Sequence, residues 1–220
     1  IGVCLVYTVH NLAPHEGQQV TQNRLAQALL FLLADVIHVH DDYARRAVGT
    51  QSRWLRCIRR CRRIVVIPHG NYLSYPNTCP RQEARERLGI PQGADRDVIL
   101  VIVGHVHDPA YGATVEALAA QDERVMARLA YVPPEELQYY FNACDICVLP
   151  YRHVTTSGAA ILAFSFGKPV LAPRLGGFPE LVGEERGLLY DPDREDALRD
   201  ALRRARRLDL ARASAAAWSL

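Results

Sequence analysis

Short runs rich in Val and Ile alternate with helix-patterned stretches along nearly the whole chain. This alternation restricts the chain to an α/β fold, because parallel strands need helical crossovers between them. Strands are expected over 2–9, 36–40, 64–68, 98–104, 125–131, 145–150, 169–173 and 187–190. Helices are expected over 19–34, 43–61, 110–120, 134–143, 157–166, 178–183 and 194–208. The run Val98 to Val103 has no polar residue, which predicts a strand covered on both faces. The stretch 71–94 breaks the rhythm with Pro76, Pro80, Pro91 and many polar residues. It reads as a linker carrying one short helical piece near Arg81–Leu88. The division is then 1–70 as an amino-terminal lobe, 71–94 as the linker and 95–220 as a carboxy-terminal lobe.

A chain of 220 residues that is 49% hydrophobic can form a sizeable core. No apolar run reaches eighteen residues, so no membrane span is expected. The opening from Ile1 lacks a basic leader and reads as a strand rather than a signal peptide. A net charge of +2 gives no reason to expect nucleic acid as a partner. Lys168 is the only lysine, and it stands outside any Walker pattern. The six cysteines form no disulfide framework. Cys4, Cys144 and Cys147 lie in or beside apolar runs, where a reduced thiol serves as a small hydrophobe. The Cys144-x-x-Cys147 spacing also suits a redox or zinc pair, but no second pair accompanies it. A cytoplasmic location is the expectation.

Seven of the eight histidines fall at or just beyond the carboxyl ends of expected strands: His10, His38, His40, His69, His105, His107 and His153. Ligands of open parallel sheets bind at that edge, so this placement is a site signal in its own right. The pairs His38-x-His40 and His105-x-His107 can also chelate a metal. Neither has a third ligand nearby in sequence, and no metal is expected. A turn of small residues, Thr155-Thr156-Ser157-Gly158, precedes an apolar helix. A second turn, Gly176-Gly177, follows the next strand. Ser and Thr cap helices well, and glycine lets an anion approach backbone N–H groups. Arg53–Arg63 is arginine-rich with an apolar face. A basic helix of this kind can dock on anionic lipid or simply face solvent.

The order Asp145–Tyr151, the Thr-Ser-Gly turn with its helix, Gly167-Lys168-Pro169-Val170, and Gly176-Gly177-Phe178-Pro179-Glu180 resembles the nucleotide-sugar half of GT-B glycosyltransferases of the large retaining family 4. Thr8-Val9-His10-Asn11 resembles that family's sugar-facing loop. Ile67-Pro68-His69-Gly70 resembles the segment at the edge of its first lobe. The resemblance implies two Rossmann-like lobes with parallel sheets, here incomplete. It implies His10 and Asn11 at the transferred sugar. Thr156, Ser157, Gly158, Gly176 and Gly177 would hold the diphosphate, and Val132 with its neighbours would meet the base. Glu180 would contact the sugar or order its turn. No cofactor is implied beyond a UDP-sugar or GDP-sugar donor. The partner would be a glycan, lipid or small-molecule acceptor, with peripheral contact at the inner membrane face through Arg53–Arg63.

Two features depart from the family pattern. Its two glutamates, eight positions apart, would fall at Val154 and Leu162, and this chain has neither. The βα unit that carries an Arg/Lys pair is missing before Val98. Residues of a longer polypeptide are therefore expected to be absent before Ile1 and between Asp97 and Val98. The expected activity is transfer of a hexose to an acceptor hydroxyl with retention. Two rivals stay open: a non-catalytic glycosyltransferase-like protein that binds nucleotide or a partner, and a GT-B sugar-nucleotide epimerase.

Overall fold

The computed structural model describes residues 4–10, 20–51, 63–90 and 98–219. The chain gathers into two compact units, one formed by 1–72 with 146–220 and the other by 73–145. This grouping differs from the expected lobes because strand pairing separates the strands after residue 98. The strand at 100–103 pairs with that at 125–128, and the strand at 147–148 pairs with that at 170–173.

The first unit contains two parallel sheets. One has the order β1 (Val6–Thr8), β2 (Val36–Val39), β3 (Arg63–Val66), with α1 (Val20–Leu33) and α2 (Asp42–Gln51) as crossovers. Ile37 and Val39 alternate onto one face of β2, where they are buried with Val9, Phe31, Ala44 and Val48. The same alternation puts His38 and His40 on the opposite face, at the carboxyl edge. The other sheet has the order β6 (Cys147–Val148), β7 (Val170–Pro173), β8 (Gly187–Tyr190). All four residues of β7 are buried, so this strand has the double cover its apolar run predicts. Around it stand α6 (Gly158–Ser165), α7 (Phe178–Val182) and α8 (Ala197–Ala205).

The helix α9 (Leu210–Trp218) is not expected from sequence. Its sequence is mostly alanine and has no stripe of large apolar residues to mark a face. Asp209 caps it, accepting from Arg212 N at 3.1 Å. Ala213 and Ala217 are buried, and the small faces let α9 pack on α6. Trp218 closes the contact over Gly167, where an added Cβ would lie 2.1 Å from Trp218 Nε1.

The second unit contains α3 (Arg81–Arg87), β4 (Leu100–Val103), α4 (Pro109–Ala119), β5 (Val125–Arg128) and α5 (Pro134–Ala143). The described residues of 71–94, which carry the short helix expected there, do not stand apart but belong to a packed layer. Cys79, Ala84 and Ile90 are buried with Ala143 between α3 and α5. The buried amide of Gln138 accepts from the N–H groups of Thr78 and Cys79, both at 3.0 Å, and donates to Glu135 O at 3.0 Å. Asn142 Nδ2 donates to Cys79 O at 2.8 Å, and Arg81 pairs with Asp145 at 2.8 Å. Contrary to expectation, β4 is not covered on both faces: Leu100 is 45% exposed. Among the described residues β4 pairs with β5 alone, so its apolar run lies at a sheet edge.

Candidate functional site

The carboxyl edges of β1, β2 and β3 bring four histidines together. His10 Nδ1 and His40 Nε2 are 3.3 Å apart. His38 Nε2 and His40 Nδ1 both face Ile67 O, at 3.1 and 3.3 Å. His38 Nδ1 lies 3.2 Å from Thr8 Oγ1. The His69 ring stands 5.2 Å from that of His40 and 5.8 Å from that of Tyr72. Burial lowers the His40 pKa below its ordinary value, and the neighbouring His38, His69 and His10 add to the effect. The bond to Ile67 O opposes it. The lowered pKa favours the neutral imidazole of His40. No group of histidines and acids among the described residues is arranged to hold a metal ion.

The histidine row leads to the start of α6. A Cβ placed on Gly158 would lie 3.2 Å from the Tyr72 hydroxyl and 3.9 Å from His69 Nε2. Ser157 caps α6 with its hydroxyl turned inward, accepting from Ala160 N at 3.2 Å. Tyr151 also hydrogen-bonds Ser157, and burial raises the Tyr151 phenol pKa while this bond opposes the rise. With the hydroxyl committed to the cap, the chemistry offered at the mouth of α6 is backbone N–H. The first-turn N–H groups of Gly158 and Ala159 have no acceptor among the described residues. Tyr151, His153, Val154, Thr156, Ser157 and Gly158 line a hollow of about 310 Å³ there.

The second glycine turn lies directly against the first. Gly176 has a φ of +56°, and a Cβ on it would come within 2.2 Å of Val154 O. Gly177 N donates to Thr155 O at 2.9 Å. The Asp41 carboxylate fills the remaining angle. It accepts from Thr156 Oγ1 at 2.7 Å and from Ala44 N at 2.6 Å. A Cβ on Gly177 would lie 2.5 Å from Asp41 Oδ2. Glu180 is engaged with α2: its carboxylate accepts from Asp42 N at 3.0 Å, from Tyr43 N at 3.3 Å and from the Arg46 guanidinium.

The structure thus gathers His10, Thr156, Ser157, Gly158, Gly176, Gly177 and Glu180 within one unit. Val132 lies in the other unit, half-buried between β5 and α5. Asn11 and the segment from Arg53 to Arg62 fall outside the described residues, as does Asp97 of the Asp97–Val98 junction. Sequence reasoning missed Asp41, Tyr72 and Tyr151 as site residues. Asp41 offered one signal, a carboxylate directly before a helical stretch. Tyr72 and Tyr151 gave none beyond their nearness to the turns.

The parallel βα units with ligand-facing carboxyl edges define a Rossmann-like α/β class of the GT-B kind. Residues 85–207 match the model of the glycosyl transferases group 1 family, and the chain belongs to that family. The chain is 30% identical over 208 residues to a GDP-mannose:glycolipid 4-beta-D-mannosyltransferase of Xanthomonas campestris, a match covering 90% of this chain and 58% of the relative. It is 33% identical over 112 residues to a D-inositol 3-phosphate glycosyltransferase of Corynebacterium glutamicum, covering 49% of this chain and 27% of the relative. The chain spans half to three-fifths of the length of the Xanthomonas relatives. Among solved structures, the sucrose-phosphate synthase of Thermosynechococcus elongatus matches with a TM-score of 0.73 at 23% identity, over 97% of this chain and 61% of that one. Anabaena HepE in complex with UDP-glucose matches at 0.70 and 18% identity, over 98% of this chain and 68% of that one. These two likenesses are ones of fold.

Proposed function

We propose that the protein transfers a hexose from a nucleoside diphosphate sugar to an acceptor hydroxyl. The observation that carries this reading is the turn opening α6, whose Gly158 and Ala159 N–H groups have no acceptor among the described residues, beside a hollow lined by Thr156, Ser157 and Gly158. Such donors act on the leaving diphosphate, whose negative charge grows as the sugar departs. Thr156, Ser157 and Gly158 are assigned to the diphosphate together with Gly176 and Gly177. Val132 and its neighbours are assigned to the base, and His10 with Asn11 to the sugar. No cofactor beyond the donor is assigned. The Xanthomonas relative is named for GDP-mannose and a glycolipid, and the Anabaena structure holds UDP-glucose. GDP-mannose with a lipid-linked acceptor is accordingly the first pair to assay.

Two stereochemical courses are distinguished by particular observations. Retention is what the resemblance to family 4 implies. Inversion is favoured by the β-mannosyl product in the Xanthomonas relative's name, since an α-linked donor gives a β-product by inversion. Incubation with GDP-mannose and a lipid-linked acceptor, followed by NMR of the product's anomeric proton, separates the two. Failure of every nucleotide sugar to yield product favours the non-catalytic reading.

Among the described residues no helix is long and apolar enough to cross a membrane. A lipid-linked acceptor would still place the protein at a membrane surface. The arginines of Arg53–Arg63 would each contribute roughly 1 kcal/mol of attraction to an anionic leaflet. Sedimentation with anionic vesicles at low salt tests that contact, and no pelleting removes it.

A further inference from the structure

We infer that His40 is a positioning residue that fixes neutral His10 in its Nδ1–H tautomer and leaves His10 Nε2 unprotonated toward the substrate. The inference rests on the reading of His10 as the group at the transferred sugar.

The argument starts at a backbone carbonyl. Ile67 O can only accept, so both imidazole nitrogens that face it carry hydrogen: His38 Nε2 at 3.1 Å and His40 Nδ1 at 3.3 Å. Its two lone pairs are thereby occupied. A neutral His40 protonated at Nδ1 has a lone pair at Nε2. The atom facing that lone pair is His10 Nδ1, at 3.3 Å. His10 must then donate from Nδ1, and in neutral His10 the remaining lone pair is on Nε2, at the opposite edge of the ring. The same logic settles His38, whose Nδ1 accepts from Thr8 Oγ1 at 3.2 Å.

The relay needs His40 to be neutral, and its surroundings favour that state. Among the described residues the groups facing it are His10, His38, His69 and Ile67 O, of which only the carbonyl favours a cation. The nearest carboxylate in sequence, Asp41, is committed to Thr156 and Ala44. A carbonyl, an imidazole and a second imidazole in series therefore present one basic nitrogen. Such a nitrogen can accept the acceptor hydroxyl's proton as the new glycosidic C–O bond forms and the bond to the diphosphate breaks. In a retaining course it would instead accept a hydrogen bond from a sugar hydroxyl.

Nitrogen-15 NMR of the imidazoles tests the assignment without any need for activity. At neutral pH the native protein should show His10 with a protonated Nδ1 and a pyridine-like Nε2. His40→Leu removes the acceptor and should leave His10 as a mixture of tautomers. His40→Gln retains a donor for Ile67 O and an acceptor for His10, and should restore the single tautomer. In transfer assays His40→Leu should lower kcat about tenfold, with nucleotide affinity within twofold of native. A tautomer mixture in the native protein, or a single unchanged tautomer in His40→Leu, overturns the role of His40. A native tautomer as inferred, combined with full transfer activity in His10→Ala, overturns the reading of His10 instead.

Discussion

Thr156 donates its hydroxyl hydrogen to Asp41 across 115 residues of sequence, at 2.7 Å. The bond ties the turn before α6 to the start of α2, and the same carboxylate caps α2 through Ala44 N. Asp41→Asn should separate the two tasks. Asn caps helices as well as Asp, so α2 should remain intact. The charged acceptor at Thr156 is lost, and a hydrogen bond to a charged group is worth about 1.5–3 kcal/mol. Nucleoside diphosphate affinity should fall roughly tenfold, and Thr156→Val should give the same loss. Calorimetry on both variants and the double variant is the check. Losses that multiply in the double variant would show that the two residues act separately.

Glu180 meets Arg46 and the first N–H groups of α2, so its main contribution should be to stability. The pair is partly exposed, at 63% and 35% for the two side chains, which limits the effect. Glu180→Gln should cost about 0.5–1 kcal/mol in denaturant unfolding and leave nucleotide affinity unchanged. A drop in turnover with unchanged stability would instead assign Glu180 to the sugar.

Gly167 is required twice, by a φ of +63° and by the Trp218 ring lying over it. Gly167→Ala should therefore destabilise the first unit by about 1–2 kcal/mol. Tryptophan fluorescence during urea unfolding would report the lower midpoint. An unchanged midpoint would mean that α9 contributes little to the fold.

His40 makes stability depend on pH in a known direction. Its folded pKa lies below the ordinary value of 6.5, so the unfolded chain binds more protons as pH falls. Its contribution is fully present above pH 6.5 and is lost as pH drops through that value toward the folded pKa. The melting temperature should fall between pH 7.5 and 5.5, and it should fall less in His40→Gln. Equal losses in both proteins would assign the pH dependence to other groups.

Much of the fold was legible because parallel α/β units announce themselves locally. Val36–Val39 and Val170–Pro173 are short β-branched or apolar runs between helices, and both are strands. The helix at 134–143 was legible from Pro134 at its first turn and two acidic residues behind it. What escaped was set by packing at a distance. The alanines of α9 mark a helix face only once α6 is there to receive them. The 71–94 stretch looked like a linker because Pro76, Pro80 and Pro91 interrupt it among many polar residues, and the residues it buries, Cys79, Ala84 and Ile90, are scattered along it. The candidate site was legible as a set of residue types at strand ends, among them His10, Ser157 and Gly158. Its connections were not: Asp41 and His40 owe their roles to residues far away in sequence, Thr156 and His10.

The central claim is that the turn opening α6 is a diphosphate cradle. Titration calorimetry of GDP and of UDP into the protein and into Gly158→Val tests it most directly. The native protein should bind one of the two nucleotides. The valine side chain, crowding toward the Tyr72 hydroxyl and the first-turn N–H groups, should weaken that binding at least tenfold. Equal affinity in the two proteins, or no binding of either nucleotide to the native one, would contradict the account.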